Sequence, residues 1–295
     1  MKLLKKIIVT GAGGFVGQSV IKKLYEEKYN VVGLYRNSSK EEYPWLNIEF
    51  DLAKQNLSDV LIKNIDCVVH CAAVIPTDFF NEDVAYVAEI NKKIDNNVID
   101  YCTANGIRLI YTSSTSVYGF NASKIAEDTP LNPLGLYSIG KVNSEKQIRE
   151  NVEKYDILRI NAPYGLGQKQ NTVLKIFIEK AAAGADITYY GSGKREQDFT
   201  HVSDIANLVK CCVNHDSLNG FLNIASGNSI SMKALARLVV SLTYGCKSKI
   251  LPADKLDMQE NYRPEFDISK ARRLLSWEPK VSLESGITEW INALQ

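Results

Sequence analysis

Short apolar runs alternate with longer amphipathic stretches through the first half of the chain. Runs typical of buried strands lie at residues 7–10, 29–34, 67–71, 108–112 and 157–160. Helical periodicity between them predicts helices at residues 15–28, 84–104 and 137–152. Strands that alternate with helices in this way predict an α/β fold, a doubly wound parallel sheet of the Rossmann type.

The pattern changes after about residue 165, where helical stretches are separated by irregular segments. These later helices are predicted at residues 172–183, 202–213, 231–242 and 283–294. We therefore predict a dinucleotide-binding Rossmann domain over residues 1–165 and a smaller, mainly substrate-binding lobe over residues 166–295. Residues of about 196–226 are candidates to return to the first domain.

Charge and cysteine content exclude several classes of protein. The chain has 35 Lys and Arg residues against 34 Asp and Glu residues, so no nucleic-acid or anionic-membrane partner is expected. No segment approaches the ~18 continuous apolar residues of a membrane span, and we expect a cytoplasmic protein. Six cysteines without a C-x-x-C pair, and only three histidines, predict free thiols in a reducing compartment and no metal site.

A glycine-rich turn follows the first strand, in the segment Thr10-Gly11-Ala12-Gly13-Gly14-Phe15-Val16-Gly17. Gly11 permits a sharp turn, Gly14 lets the backbone approach a pyrophosphate, and Gly17 lets the helix pack tightly on the sheet. The N-terminus of the helix then offers free N–H groups and a partial positive charge to the phosphates. Because the pattern follows a strand and opens a helix, it predicts a dinucleotide site rather than a plain tight turn.

The end of the second strand bears on the choice between NAD and NADP. The segment 33–38 contains no carboxylate for the ribose hydroxyls. Arg36 is positioned to face a 2′-phosphate, which favours NADP slightly over NAD, although an ordinary solvated arginine fits the same pattern. Asp51 and Leu52 follow a third short strand at residues 48–50, where Asp51 either accepts from the adenine amino group or caps a helix.

Tyr137 and Lys141 lie four positions apart, and therefore on one face of a predicted helix. A lysine ammonium stabilises a nearby phenolate and lowers the pKa of a tyrosine from its usual value of about 10. Such a pair can exchange the proton that accompanies hydride transfer at a carbonyl. The spacing alone is common on surfaces. Its context is the hydroxyl-rich segment 110–119, whose Ser and Thr side chains either bond the same substrate oxygen or only cap the strand end.

Together these motifs resemble the extended short-chain dehydrogenase/reductase superfamily, in its NAD(P)-dependent epimerase/dehydratase branch. The joint signature is T-G-x-x-G-x-x-G, then S-S-x-x-V-Y-G, then Y-x-x-x-K. Similar later segments lie at residues 158–167, 191–195, 198–204, 267–271 and 275–279, so the resemblance covers essentially the whole chain. It implies a Rossmann fold, a nicotinamide dinucleotide and a nucleotide-sugar substrate.

The resemblance also implies roles for single residues. Ser114 would be the catalytic hydroxyl, Tyr137 the acid/base, and Lys141 its partner, which also holds the nicotinamide ribose. The cofactor-binding set is then Gly11, Gly14, Phe15, Val16, Gly17, Arg36, Asp51, Leu52, Ala72, Ala73, Tyr137, Lys141 and Pro163, with His70 and Cys71 in the same lining segment. The substrate-binding set is Ser114, Thr115, Asn161, Arg195 and Arg263. Asn91 matches an asparagine buried near the active site, although a satisfied core amide fits as well.

One departure from the family pattern concerns the reaction. Thr115 and Ser116 stand where the sugar 4,6-dehydratases carry an acidic pair. Elimination of water would lack its acid and base here, so a dehydratase is disfavoured.

Two other departures concern the substrate. Gln197 replaces an arginine, with Arg195 two positions earlier, and Ala162 replaces an asparagine, with Asn161 adjacent. Both family residues normally touch the nucleotide diphosphate. Arg263 is either another partner for that group or an ordinary surface arginine.

Two reactions at a sugar ring carbon, C4 above all, fit these residues about equally. A 4-epimerase removes a hydride to the cofactor and returns it to the other face of the keto sugar, whereas a 4-ketoreductase uses NADPH once. One alternative is an NADP-dependent reductase of a non-nucleotide ketone or alcohol, and another is a non-catalytic dinucleotide-binding regulator. Family members often dimerise through two helices, here 84–104 and 137–152, which predicts a homodimer, although an apolar stripe on these helices equally suits the domain core.

Overall fold

The computed structural model describes residues 5–37, 42–75, 83–120 and 124–294. Its strands are β1 (Lys6–Thr10), β2 (Asn30–Tyr35), β3 (Leu46–Glu49), β4 (Cys67–His70), β5 (Arg108–Ser114), β6 (Lys124–Ile125), β7 (Tyr155–Ile160), β8 (Pro163–Tyr164), β9 (Ile187–Tyr189), β10 (Glu196–Asp198), β11 (Thr200–His201), β12 (Gly220–Ile224), β13 (Ser229–Ser231), β14 (Ile250–Pro252) and β15 (Glu265–Phe266). Its helices are α1 (Phe15–Glu26), α2 (Asp83–Asn105), α3 (Leu136–Asn151), α4 (Val173–Ala182), α5 (Val202–Asn214), α6 (Met232–Leu242), α7 (Ser269–Leu275) and α8 (Leu283–Asn292). Short 3-10 turns lie at Leu57–Asp59 and Thr115–Tyr118.

Seven parallel strands form the central sheet in the order β12-β7-β5-β4-β1-β2-β3. The strand order reverses between β1 and β4, and ligands of such sheets bind at the carboxyl ends of the strands beside this reversal. Thr10 pairs with His70 of β4 and with Leu34 of β2, so the ends of three strands meet there. The predicted doubly wound Rossmann fold is confirmed.

Alternating side chains of the strands supply the cores on the two faces of the sheet. On β1, Ile7 and Val9 pack in one cluster with α1 and α5, whereas Ile8 packs in another with α2 and α3. This is the alternation that a strand buried on both faces requires. The catalytic-helix candidate α3 therefore lies on the opposite face of the sheet from α1, which carries the glycine turn.

The C-terminal half builds a third hydrophobic cluster from α4, α6 and α8, which includes Phe177, Leu235 and Trp290. Between its parts the chain returns to the central sheet and its helices, because α5 packs on α1 and β12 pairs with β7. Among the described helices, none is both long and apolar enough to cross a membrane. All six cysteines are free.

Candidate active site

The glycine turn between β1 and α1 is as tight as its sequence requires. Gly11 has φ 63°, and a Cβ there would lie 2.7 Å from the Cα of Ala72. A Cβ on Gly17 would lie only 2.1 Å from the carbonyl oxygen of Gly11. Gly14 precedes α1 and provides no side-chain cap, so the first N–H groups of the helix stay available to an anion.

A cavity of about 730 Å³ opens at this turn. That volume falls within the usual range of cofactor pockets, about 300–1,000 Å³. Seven of the residues predicted from the sequence to bind the cofactor line this cavity: Gly11, Gly14, Arg36, Asp51, Leu52, Ala72 and Ala73. The closely apposed turn, the uncapped helix N-terminus and the adjacent apolar walls fit a dinucleotide, with the pyrophosphate at the turn.

Other predicted cofactor residues do not line this cavity: Phe15, Val16, Gly17, Tyr137, Lys141 and Pro163. Gly17 acts through packing, because its missing Cβ lets α1 approach the turn. The sequence analysis missed several residues that do line it, among them Gly13, Tyr35, Asn37, Tyr43, Ile94 and Lys169. Tyr35 and Asn37 flank Arg36 and could have been found from the end of the strand, whereas Tyr43 and Lys169 come from loops without a motif.

The end of β2 presents an aromatic side chain where an acidic residue is common. Tyr35 stacks on Tyr43 at 5.6 Å between ring centres, and Tyr43 stacks on Trp45 at 5.1 Å. The indole of Trp45 donates to the hydroxyl of Tyr35 at 3.0 Å. Arg36 follows directly and is exposed at the cavity wall.

Asp51 caps the turn that follows β3 and lies at the cavity wall, and its contact with an adenine amino group stays a prediction. Its carboxylate accepts the N–H of Ala53 at 3.1 Å and lies 3.5 Å from the ammonium of Lys54, as in a turn cap. The residue also lines the cavity beside Leu52.

The end of β4 and the segment that follows it divide into a buried anchor and a cavity wall. Cys71, Ala72 and Ala73 line the cavity, but His70 does not. The expectation that His70 lines the cofactor is therefore wrong: its ring is 1% exposed and lies between Thr10 and Asp95. Alternation along β4 places His70 on the same face of the sheet as Val68, toward α2.

Asn91 is a satisfied amide that shapes the same wall. Its side-chain oxygen accepts the N–H of Val74 at 2.7 Å, and its nitrogen donates to the carbonyl of Val74 at 2.8 Å. Because Val74 lines the cavity, Asn91 fixes the loop that borders the cofactor site.

Tyr137 and Lys141 occupy the start of α3, over the end of β5. Tyr137 is half-buried, and the Nζ of Lys141 lies 5.9 Å from the centre of its ring. Lys141 is 4% exposed and donates to the hydroxyl of Tyr111 at 2.9 Å and to the carbonyl of Thr112 at 3.2 Å. These bonds tie the lysine to β5, the strand that ends at Ser114.

Cys71 connects this pair to the cavity. Burial raises the pKa of the Cys71 thiol to about 12, and the charge of the neighbouring Lys141 opposes that rise. Cys71 also lines the cavity, so the lysine stands behind the cavity wall. The arrangement brings Tyr137 and Lys141 next to the predicted dinucleotide site.

The carboxylate of Asp95 lies 3.9 Å from the Nζ of Lys141, and the sequence analysis did not identify it. Burial alone would raise the pKa of Asp95, but the Lys141 charge and a hydrogen bond from His70 bring it well below its usual value. Asp95 follows Asn91 by four positions, on the same face of α2. Two polar residues spaced four apart on a helix that packs on the sheet were the sequence signal from which Asp95 could have been found.

Ser114, Thr115 and Asn161 already have partners within the protein. The hydroxyl of Ser114 accepts the N–H of Ser116 at 3.2 Å, at the start of a 3-10 turn. Thr115 donates to the side-chain oxygen of Asn161 at 2.9 Å, and the Asn161 nitrogen donates to the carbonyl of Asp198 at 2.7 Å. Thr115 and Asn161 are buried, whereas Ser114 is half-buried and keeps its hydroxyl proton for another acceptor.

The two predicted arginines of the C-terminal lobe are paired with carboxylates. Arg195 donates to Asp257 at 2.8 Å, and Arg263 lies 3.6 Å from Glu196. Arg263 also lines a smaller cavity of about 350 Å³, together with Lys194 and Lys233 among others.

Comparison with known proteins bears on this geometry. The putative UDP-glucose 4-epimerase of Methanocaldococcus jannaschii is 29% identical over 304 residues, covering 97% of this chain and 97% of that protein. The dTDP-4-dehydro-6-deoxyglucose reductase of Escherichia coli is 25% identical over 320 residues, covering 98% and 97%. The solved structure of MoeE5 in complex with UDP-glucuronic acid and NAD matches with a TM-score of 0.87 at 26% identity, over 97% of this chain and 98% of that one.

The model of the NAD dependent epimerase/dehydratase family matches residues 7–225 of the chain. This span includes the glycine turn, the cavity wall and the pair Tyr137 and Lys141. The resemblance inferred from the motifs is thereby confirmed, and the protein belongs to the NAD dependent epimerase/dehydratase family.

Proposed function

We propose that the protein interconverts a hydroxyl and a keto group at C4 of a nucleotide-linked sugar, as an epimerase or a ketoreductase, with Tyr137 as the acid/base. The observation that carries the proposal is the position of Tyr137 beside the buried ammonium of Lys141, at the carboxyl end of β5. A nucleotide-linked sugar is supported by the relatives that act on such compounds. We include in this proposal the cofactor-binding and substrate-binding roles that the sequence predicts for the other site residues.

Side chains of the protein transfer the proton of the sugar hydroxyl. When bound, the nicotinamide dinucleotide supplies the acceptor or donor of the hydride. Tyr137 takes the proton of the sugar hydroxyl when the carbon is oxidised and returns it when the keto group is reduced. Lys141 stabilises the phenolate form by its charge, and Ser114 donates a hydrogen bond to the substrate oxygen.

A specific observation favours the ketoreductase and NADP as a second, narrower candidate. Arg36 is exposed at the cavity wall, and the residue before it is Tyr35 rather than a carboxylate. A guanidinium there can form charge-assisted hydrogen bonds with a 2′-phosphate. An enzyme that reduces its substrate once must exchange its cofactor, whereas an epimerase regenerates it in each cycle.

Replacement of Tyr137 tests the catalytic role. The protein and its Tyr137→Phe variant are incubated with UDP- and dTDP-hexoses and their 4-keto forms, with either cofactor, and products are separated by chromatography. We expect the variant to lose at least about 10²-fold in turnover, the usual contribution of a positioned acid or base, while dinucleotide binding by calorimetry is unchanged. Tyr155→Phe, a tyrosine on β7 without a proposed role, is the matched control. Turnover that survives in Tyr137→Phe would overturn the proposal.

Replacement of Arg36 tests the cofactor. We expect Arg36→Ser to lose about 10-fold or more in affinity for NADP and little for NAD, because a charge-assisted bond is worth about 1.5–3 kcal/mol. Lys28→Ser, in the loop before β2, is a control that removes an exposed charge elsewhere. Equal losses for both dinucleotides would contradict recognition of the 2′-phosphate by Arg36, and NAD retained through purification would favour the self-regenerating epimerase.

A further inference from the structure

A row of buried polar side chains runs from the end of β1 to helix α3. Thr10 Oγ1 lies 2.6 Å from His70 Nδ1, and His70 Nε2 lies 3.0 Å from Asp95 Oδ1. The other oxygen of Asp95 accepts hydrogen bonds from Tyr111 at 2.6 Å and from Ser144 at 2.7 Å. All five residues are buried, so a carboxylate with three partners is enclosed in the protein.

This row ends on the lysine of the proposed acid/base pair. The hydroxyl of Tyr111 accepts a hydrogen bond from Lys141 and gives its single proton to Asp95. The direct separation of Lys141 Nζ and Asp95 Oδ2 is 3.9 Å. A buried ammonium is costly unless an opposite charge accompanies it, and within the described ranges Asp95 supplies that charge.

We propose that Asp95 is a positioning residue: its carboxylate is the buried countercharge that holds the Lys141 ammonium and sets the pH range in which Tyr137 exchanges its proton. The inference rests on the acid/base role proposed above for Tyr137. Asp95 itself does not line the cofactor cavity, so it acts through Lys141.

The protonation of the neighbours is consistent with an ionised Asp95. Thr10 Oγ1 accepts the N–H of Ala72 at 3.3 Å and can give its proton to His70 Nδ1, which leaves His70 Nε2–H as the donor to Asp95. Burial, followed by the charge of Asp95, raises the pKa of Tyr111 well above its usual value, so this hydroxyl stays neutral.

The titratable groups that face Asp95 come from three elements packed on α2. β4 contributes His70, β5 contributes Tyr111, and α3 contributes Lys141. The 3-10 turn at Leu57–Asp59 also packs on α2 and contributes only an exposed Asp59.

Removal of the Asp95 charge shifts proton release by the pair Lys141 and Tyr137 in the same direction, whichever of the two loses its proton first. With Lys141 charged and Tyr137 neutral, the pair carries one positive charge, and loss of either proton leaves it with none. A negative Asp95 favours the positive state, so removal of its charge lets the pair release a proton at lower pH. Opposite charges at this separation move a titration by about 1 to 3 pH units.

The test is the pH dependence of the Asp95→Asn protein with its cofactor bound. Asparagine keeps the shape of the side chain. With its oxygen toward Tyr111 and Ser144, its NH2 group can donate to His70 Nε2, provided that the ring carries its proton on Nδ1 instead. We measure kcat/KM for ketone reduction against pH, and titrate the ring carbon next to the hydroxyl of Tyr137 by NMR, with the signal assigned by its loss in Tyr137→Phe. We expect the alkaline limb and the NMR midpoint to move about 1 to 3 pH units lower, with KM for the ketone unchanged.

Ser144→Ala is the matched control, because it removes one hydrogen bond to the same carboxylate and keeps the charge. It should lower stability and leave both midpoints in place. If Asp95→Asn does not fold, as judged by circular dichroism, Asp95→Ser removes the same charge with a smaller side chain.

An unchanged midpoint, or one that moves to higher pH, in a folded charge-removing variant would overturn the proposal. The NMR titration needs no turnover. If the wild-type protein converts no sugar nucleotide, the proposed function fails while the NMR midpoint still decides the role of Asp95.

Discussion

Replacement of Glu145 by glutamine tests whether a buried ion pair fixes helix α3, which carries Tyr137 and Lys141. Glu145 lies one turn beyond Lys141 on α3, and its carboxylate accepts hydrogen bonds from Arg159 of β7 at 3.0 and 2.8 Å. It also accepts the hydroxyl of Ser113 at 2.6 Å. Glu145 and Arg159 are each 2% exposed, so the pair is closed to water.

The size of the effect follows from what Arg159 would keep. The glutamine of the Glu145→Gln variant has nearly the same shape but no charge. The guanidinium would then retain only the hydroxyl of Tyr118 at 2.7 Å and the carbonyl of Glu127 at 3.0 Å as further oxygen acceptors. Removal of one partner of a buried ion pair costs about 3–5 kcal/mol, because the other charge is left uncompensated. We expect the free energy of unfolding to fall by about 3 kcal/mol, the lower end of that range, since neutral acceptors remain.

The assay is urea unfolding followed by circular dichroism, with the slopes of the two proteins compared. Glu150→Gln is the matched control on the same helix: its partner Lys146 lies 3.9 Å away, and the two side chains are 58% and 72% exposed. Such a surface pair contributes about 0–1 kcal/mol. If Glu145→Gln loses no more stability than Glu150→Gln, the buried pair does not hold the helix.

Two further predictions concern the glycine turn and a buried histidine. Gly17→Ala should lower the free energy of unfolding by about 1–3 kcal/mol and weaken dinucleotide binding in calorimetry, because its Cβ would meet the Gly11 carbonyl. The control Gly140→Ala, which has open space around its Cβ, should do neither. Equal effects of the two substitutions would contradict this reasoning. Burial lowers the pKa of His201 from 6.5, so the folded state binds the proton less readily than the unfolded state. The stability that neutral His201 contributes should be fully present above pH 6.5 and decrease as the pH falls below that value. In urea unfolding, the free energy of unfolding of His201→Gln should therefore decrease less steeply with falling pH than that of the unchanged protein. The same dependence on pH in both proteins would argue against the histidine as its cause.

Periodicity and local motifs were sufficient to predict the frame of the molecule. The helix predicted at 84–104 is α2 (Asp83–Asn105), and the one predicted at 137–152 is α3 (Leu136–Asn151). Long amphipathic segments bury one face, and their period is visible in the sequence. The two- and three-residue strands were missed, because so short a segment shows no period.

The contacts that tune the site were less accessible from sequence. Asp95 reaches Lys141 across 46 positions, through the packing of α2 on α3, and no local motif encodes that contact. The contact between His70 and Asp95 likewise joins two elements, β4 and α2, that no local motif connects. Arg195 and Arg263 have no obvious partner in the sequence, although Asp257 and Glu196 pair with them in the structure.

The return of β12 to the central sheet has a consequence for dissecting the protein. A fragment that stops near residue 165 would leave β7 as an open edge strand, with its backbone N–H and C=O groups unpaired along the side that β12 now covers. The same cut would uncover the apolar face of α1 that α5 packs against. Such a fragment is expected to self-associate rather than fold as a soluble dinucleotide-binding unit, so the two halves of the chain have to be studied, and engineered, as one folding unit.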